Sequence, residues 1–220
     1  MARCTRQRAA FTAVALLLFA VVAWPASAGA GGAADELRLS IDKILGILAA
    51  PELKGEGHVR ERRAALRTVV DDAIDFPEAA RRALAVHWRV RTDAEREEFV
   101  RLFKDLVAYS YIRIMEPYAG ETVQIVGESQ GDGLTTVLTR IHRRQGEPVP
   151  VDYRMHRRGG HWLIYDVAVE GVSLVGNYRV QFNTIIQTSS YDELIRRMRA
   201  RVQELNQAPA AAGRPVAPRG

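Results

Sequence analysis

The apolar residues of this chain change their spacing near Tyr118, and that change constrains the architecture more than any composition figure does. Upstream, apolar side chains recur at helical intervals, as in Leu37, Ile41, Ile44, Leu45 and Leu48. Downstream they alternate with polar residues, so that Val149, Val151, Tyr153 and Met155 share one side while Asp152, Arg154 and His156 share the other. After Gly171 the helical interval returns. Helices, then strands, then helices again must bury helical stripes against a sheet face, which is an α+β domain with helices on one face of the sheet.

Punctuation refines this reading. The Gly55-Glu56-Gly57 segment ends the first helix, and a second is expected over 58–73 with Leu66, Val69, Val70 and Ala73 on one face. Pro77 restarts the chain as a short helix through Ala83, Leu84 and His87. Thr92-Asp93-Ala94-Glu95 is a capping box, behind which Phe99, Leu102, Phe103, Leu106, Ser110 and Ile114 form the stripe of a long helix that stops before Pro117. Strands are expected over 122–126 and 135–143, joined by Gly131-Asp132-Gly133. The turn Arg158-Gly159-Gly160 leads into a strand over 161–169 in which Leu163, Tyr165, Val167 and Val169 alternate with Ile164, Asp166 and Ala168. Short connections make these strands an antiparallel meander. Helices over 175–187 and 191–205 close the fold, parted at Ser189-Ser190.

The ends set the compartment. Arg3, Arg6 and Arg8, the apolar run 9–24, Pro25 and the Ala26-Ser27-Ala28 site read as a signal peptide over 1–28, cleaved on export. The one cysteine, Cys4, lies upstream of the apolar run, so the mature chain needs a core rather than disulfides, as in a Gram-negative periplasm. Cleavage removes three arginines and no acids, taking the formal charge from 31 − 26 = +5 to 28 − 26 = +2. The arginine-dense pieces 60–67 and 196–201 are interleaved with acids and read as solvated helix faces; nucleic acid is not an expected partner. The span 29–206 suits one domain, and the Ala- and Pro-rich tail 207–220 reads as disordered.

No catalytic or metal motif stands out. His58, His87, His142, His156 and His161 never fall at metal-ligand spacing, and neither a cysteine pair nor a calcium loop is present. Gly171-Val172-Ser173 lacks the second glycine of a nucleophile elbow, so Ser173 reads as a helix N-cap. Without a phosphate-cradling glycine loop no nucleotide cofactor is expected. Trp88, Trp162, Tyr111, Tyr153, Tyr165 and Tyr178 fit either a ligand cavity or a core with its rim, and the stripe Phe99, Phe103, Leu106 is equally two-sided.

Several pieces in order carry a family likeness: Asp75-Phe76, Ala83-Leu84 followed by Trp88, Thr92-x-x-Glu95-Arg96-x-x-Phe99-x-x-x-Phe103 and Tyr118-x-Gly120-Glu121. Trp162-x-x-Tyr165-Asp166-Val167, Glu170-Gly171-Val172-Ser173-Leu174, Tyr178-x-x-x-Phe182-x-x-Ile185-Ile186 and Leu194-Ile195-x-x-Met198 continue it. Over residues 35–205 the chain resembles the MlaC-type, or toluene-tolerance, periplasmic phospholipid-binding proteins of the Mla ABC transport system. Ala85 stands where a glycine often follows the leucine, a departure expected to alter only local packing, and Ile74 replaces a phenylalanine.

That resemblance implies a nuclear-transport-factor-like cone, with N-terminal helices, a curved antiparallel sheet of about four strands and C-terminal helices around an apolar lipid pocket. It implies no enzyme activity. The expected partners are a phospholipid, an inner-membrane Mla ABC transporter complex and an outer-membrane Mla lipoprotein complex, between which the carrier maintains lipid asymmetry. The expected pocket residues are Phe76, Leu84, Trp88, Phe99, Phe103, Leu106, Val151, Tyr153, Met155, Tyr165, Val167, Val169, Val172, Val175, Tyr178 and Phe182. The corner around Gly171 is expected to line the route of the tails, because glycine permits a sharp reversal between apolar residues. Two other readings stay open: a carrier of a hopanoid or other polycyclic lipid, and a cone-fold isomerase or dehydratase, which would need a buried Asp, Tyr or His.

Overall fold

A computed structural model describes residues 31–131 and 133–207. The signal segment, Asp132 of the expected turn, and residues 208–220 of the tail lie outside the described residues. Helix α1 (Ala33–Ala49) is followed by α2 (Val59–Ala73), α3 (Phe76–Leu84), a 3₁₀ turn at Ala85–Trp88 and the long α4 (Asp93–Met115). Strands β1 (Thr122–Gly131), β2 (Leu134–His142), β3 (Val149–Arg158), β4 (His161–Val169) and the two-residue β5 (Val172–Ser173) precede α5 (Leu174–Thr188) and α6 (Tyr191–Gln207). The five strands form one antiparallel sheet in the order β1-β2-β3-β4-β5. The expected four-strand meander is present, with β5 added by the tight Glu170-Gly171 hairpin, whose residues have φ of 50° and 81°.

Local chemistry fixes the helix ends. At the start of α4 the Glu95 amide donates to the Thr92 hydroxyl (3.3 Å) and the Thr92 amide donates to the Glu95 carboxylate (2.7 Å), the expected reciprocal cap. Asp75, not Pro77, opens α3: its carboxylate accepts from the Glu78 amide at 3.0 Å, with Pro77 in the first turn where a missing N–H does no harm. Ile114, expected on the buried stripe of α4, is 46% exposed; Val107, Ala108 and Ile112 are buried instead. The alternation expected for β4 also breaks. Arg154 pairs with Asp166 but Met155 pairs with Ile164, so Tyr165 is an extra residue in β4, a bulge. Ile164 therefore joins the face of Met155, and Tyr165, Asp166 and Ala168 are buried as well.

Two apolar cores result. The larger joins α2 to α6 and centres on an aromatic cluster in which Phe103 meets Tyr178 and Phe182 edge-on at 5.4 and 6.1 Å between centroids, and Phe99 meets Phe182 at 5.6 Å. The smaller lies where α1 covers the sheet, with Ala33 and Leu37 against Val137, Met155 and Ile164.

Ala85 is a strained position. It takes φ 50°, ψ −120°, a region that L side chains avoid and glycine enters freely. The alanine is thus more than a packing change: it forces a side chain onto a glycine conformation where α3 ends. Ala85→Gly is expected to stabilise the protein by about 1 kcal/mol, raising the thermal midpoint by a few degrees in a calorimetric scan.

Candidate functional site

Two buried aspartates, Asp75 (3% exposed) and Asp166 (5%), place the elements around the site. Asp75 caps α3 and also accepts from Arg158 Nη1 at 2.8 and 3.0 Å, and its Oδ2 lies 3.0 Å from His156 Nε2. Its own amide donates to the Ile164 carbonyl at 2.8 Å. Asp166 accepts from Arg154 Nη1 (2.7 Å), the Ser173 hydroxyl (2.6 Å) and the Val175 amide (3.0 Å). The Ser173 hydroxyl in turn accepts from the Gly176 amide at 2.8 Å, which is the N-cap expected of it. Each carboxylate therefore joins the positive end of one helix to a β3 cation, a geometry that satisfies a buried charge through hydrogen bonds, an ion pair and the helix dipole together.

Between the elements so fixed lies a slot of about 20 Å³ bounded by α3, α4, α5 and β4. Phe76 and Ala79 of α3, Phe103 and Val107 of α4, and Leu174 and Val175 of α5 face Ile164, Tyr165 and Val167 of β4, with Ile74 and Asp166 completing the lining. Asp166 is the one ionisable carboxylate there, and its oxygens are already taken. The phenols nearby stay neutral. Burial alone pushes Tyr153 up to about 12, and burial, reinforced by the neighbouring Tyr178 and by the Asp166 carboxylate, takes Tyr111 to about 12. Tyr178 is raised by burial, against a hydrogen bond with Ser110.

Of the expected pocket residues, Phe76, Phe103, Tyr165, Val167 and Val175 line the slot. Leu84, Phe99, Leu106 and Phe182 are buried in the helical core, where Tyr178 stacks on Phe182. Val151 and Met155 are buried on the sheet, and Tyr153 is half-buried beside Met155. Trp88 lies on an outer groove, while Val169 (40% exposed) and Val172 (65%) are at the surface of the corner. Sequence reasoning missed Ile74, Ala79, Val107, Ile164, Asp166 and Leu174. Ala79 and Val107 follow Phe76 and Phe103 by one helical turn, the signal that could have found them.

A family model described as MlaC protein matches residues 39–200, from within α1 into α6. The chain belongs to the MlaC family. It is 21% identical over 167 residues to the intermembrane phospholipid transport system binding protein MlaC of Haemophilus influenzae, covering 74% of this chain and 78% of that one. It is 22% identical over 160 residues to the toluene tolerance protein ttg2D of Pseudomonas putida, covering 72% and 74%. The fold matches that of a phospholipid-binding protein of Ralstonia solanacearum, solved in complex with a phospholipid, with a TM-score of 0.72 at 22% identity over 80% of this chain and 100% of that one. The MlaC-family region thus contains both buried aspartates and every wall of the slot.

Removing an anchor should be costly. Asp166→Ala leaves Arg154 and the Val175 amide without their acceptor, and a loss of about 3 kcal/mol is expected in urea titrations. Asp152→Ala, on the same strand pair but only partly buried, should cost under about 0.5 kcal/mol. Glu78 supplies a pH dependence: its hydrogen bond to Arg81, opposed by burial and helped by Arg82, holds its carboxyl at about 2. A lowered folded-state value stabilises above the unfolded value near 4.3 and is lost as pH falls through the folded one. The thermal midpoints of wild type and Glu78→Gln should therefore differ at neutral pH and converge between about pH 4.5 and pH 2.

Proposed function

We propose that this protein is a periplasmic phospholipid carrier, not an enzyme, that exchanges lipid between an outer-membrane lipoprotein complex and an inner-membrane ABC transporter. Membership of the MlaC family and the names of the Haemophilus and Pseudomonas relatives support it. The observation that carries it is the slot, apolar on every wall and with its one carboxylate tied off, set between a sheet and three helices.

Physical requirements agree with this reading. Two acyl chains hold about 30 methylenes, whose exposure at roughly 0.8 kcal/mol each costs on the order of 25 kcal/mol, so the tails must be enclosed and handed over by docking rather than released into water. The slot of about 20 Å³ admits little more than one water molecule, whereas two tails need several hundred Å³. Loading therefore requires the walls to part. Neutral phenols and aliphatic side chains let them do so without exposing an unpaired charge to the tails.

The corner at Gly171 offers a route, because Leu174, which lines the slot, follows Val172 by two residues. Val172 is 65% exposed, so Val172→Glu should leave the thermal midpoint unchanged. A carboxylate on that route should lower bound diacyl lipid at least severalfold, read by native mass spectrometry of the purified protein. Full occupancy in the variant would make the corner plain surface, and only polycyclic lipid in the wild type would change the cargo. Export is checked separately: N-terminal sequencing of periplasmic protein should begin near Gly29.

A further inference from the structure

Away from the slot, a surface groove of about 630 Å³ runs between the end of α3 and α5. Its lining includes Arg81, Arg82, Arg89 and Arg179, with Val86 and Trp88 among them. Glu78 answers two of the guanidiniums, Arg81 and Arg82, each at 2.7 Å. Arg89 and Arg179 pair with no carboxylate among the described residues; the Arg179 guanidinium donates only to the Arg82 carbonyl, at 3.0 Å. Four guanidiniums against one carboxylate leave 4 − 1 = +3.

Exposed apolar side chains occur in its lining and next to its lining residues along the chain. The most exposed large apolar residues are Val86 (74%), Val90 (68%), Val180 (67%) and Val172 (65%). Val86 lines the groove, Val90 follows Arg89, Val180 follows Arg179, and Val172 stands just before α5. The Arg179 bond to the Arg82 carbonyl ties α3 to α5, and a 2.9 Å contact between His87 Nε2 and Asn183 Oδ1 ties the 3₁₀ turn to α5, so these elements are neighbours. Scattered surface valines need no explanation, but Val86 and Trp88 set among guanidiniums make a surface that is apolar and cationic at once.

We propose that this face docks on an anionic phospholipid bilayer. Guanidinium forks match phosphate oxygens two at a time, and short valine side chains can sink between head groups while the arginines stay at the phosphate level. The contact would be shallow and salt-sensitive, since the attraction of an anionic surface fades within a Debye length, about 10 Å at ~0.1 M salt. The groove and the slot share no lining residue, although the Arg82 guanidinium lies 4.0 Å from the centroid of the slot's Tyr165 ring; vesicle binding is read apart from cargo, so the proposal stands or falls without deciding the cargo.

Vesicle flotation of the intact mature protein tests it. With vesicles of phosphatidylcholine containing about one third phosphatidylglycerol the protein should float at low salt, at roughly a fivefold gain in affinity per guanidinium near the surface. It should fail to float with phosphatidylcholine alone or at high salt. The double variant Arg89→Gln, Arg179→Gln should bind the anionic vesicles about 25-fold more weakly. Val86→Ser with Val90→Ser should weaken binding without changing net charge. Both should keep wild-type circular dichroism and wild-type lipid occupancy by native mass spectrometry, which separates this face from the carrier reading. Absence of wild-type flotation, equal binding to neutral vesicles, or unchanged binding by both variants would overturn the proposal. So would variants that float normally yet lose a soluble acidic protein partner, which would make the face a protein dock.

Discussion

A carboxylate out of water must be matched by cations and hydrogen-bond donors, and this fold meets that demand twice in the same way. Asp75 and Asp166 are each buried at the start of a helix, α3 and α5 respectively, and each reaches a β3 arginine, Arg158 and Arg154. Helix starts are thereby fixed to the sheet by charge as well as by apolar contact. Such pairs add little net stability over an apolar substitute, but they specify where a helix must begin. The apolar side chains of their first turns, Phe76, Ala79, Leu174 and Val175, then line a cavity.

That division accounts for the slot. Its walls at Phe76, Ala79, Leu174 and Val175 lie within the first turns of the anchored helices, and Phe103 and Val107 of α4 close the far side. Among the described residues α4 has no corresponding ionic bolt to the sheet: Arg67 and Lys104 connect it to α2 through Asp105 and Asp71 instead. The helical layer can therefore part from β4 at α4 while the starts of α3 and α5 remain fixed. In a carrier, opening of this kind supplies volume for tails without dismantling the polar anchors.

What the sequence made legible was local. The Thr92 to Glu95 cap, the strand turns and the N-cap at Ser173 could be read because their partners lie within a few residues. The anchors of Asp75 could not, since His156 and Arg158 are 81 and 83 residues away and become neighbours only once the sheet has formed. The extra residue at Tyr165 defeated the alternation because a bulge leaves no mark in a period count. Likewise Phe99 and Phe103 lie on one apolar stripe and both belong to the helical core, yet Phe103 also lines the slot and Phe99 does not; periodicity reports burial, not what does the burying. Ala85 shows the converse, a residue whose sequence context suggested packing and whose backbone shows strain.

In the proposed carrier, tails occupy a space opened between α4 and β4. Cys4 is the one cysteine of the sequence and lies outside the described residues, so paired spin labels can be placed on them once it is replaced. Labels at Arg101 on α4 and Arg140 on β2, both exposed, report the separation of the helical layer from the sheet by pulsed electron paramagnetic resonance. Loading delipidated protein with phosphatidylethanolamine should lengthen that distance by several ångströms, while labels at Pro77 and Arg157, beside the Asp75 anchor, stay in place. Bound lipid with both distances unchanged would contradict the account.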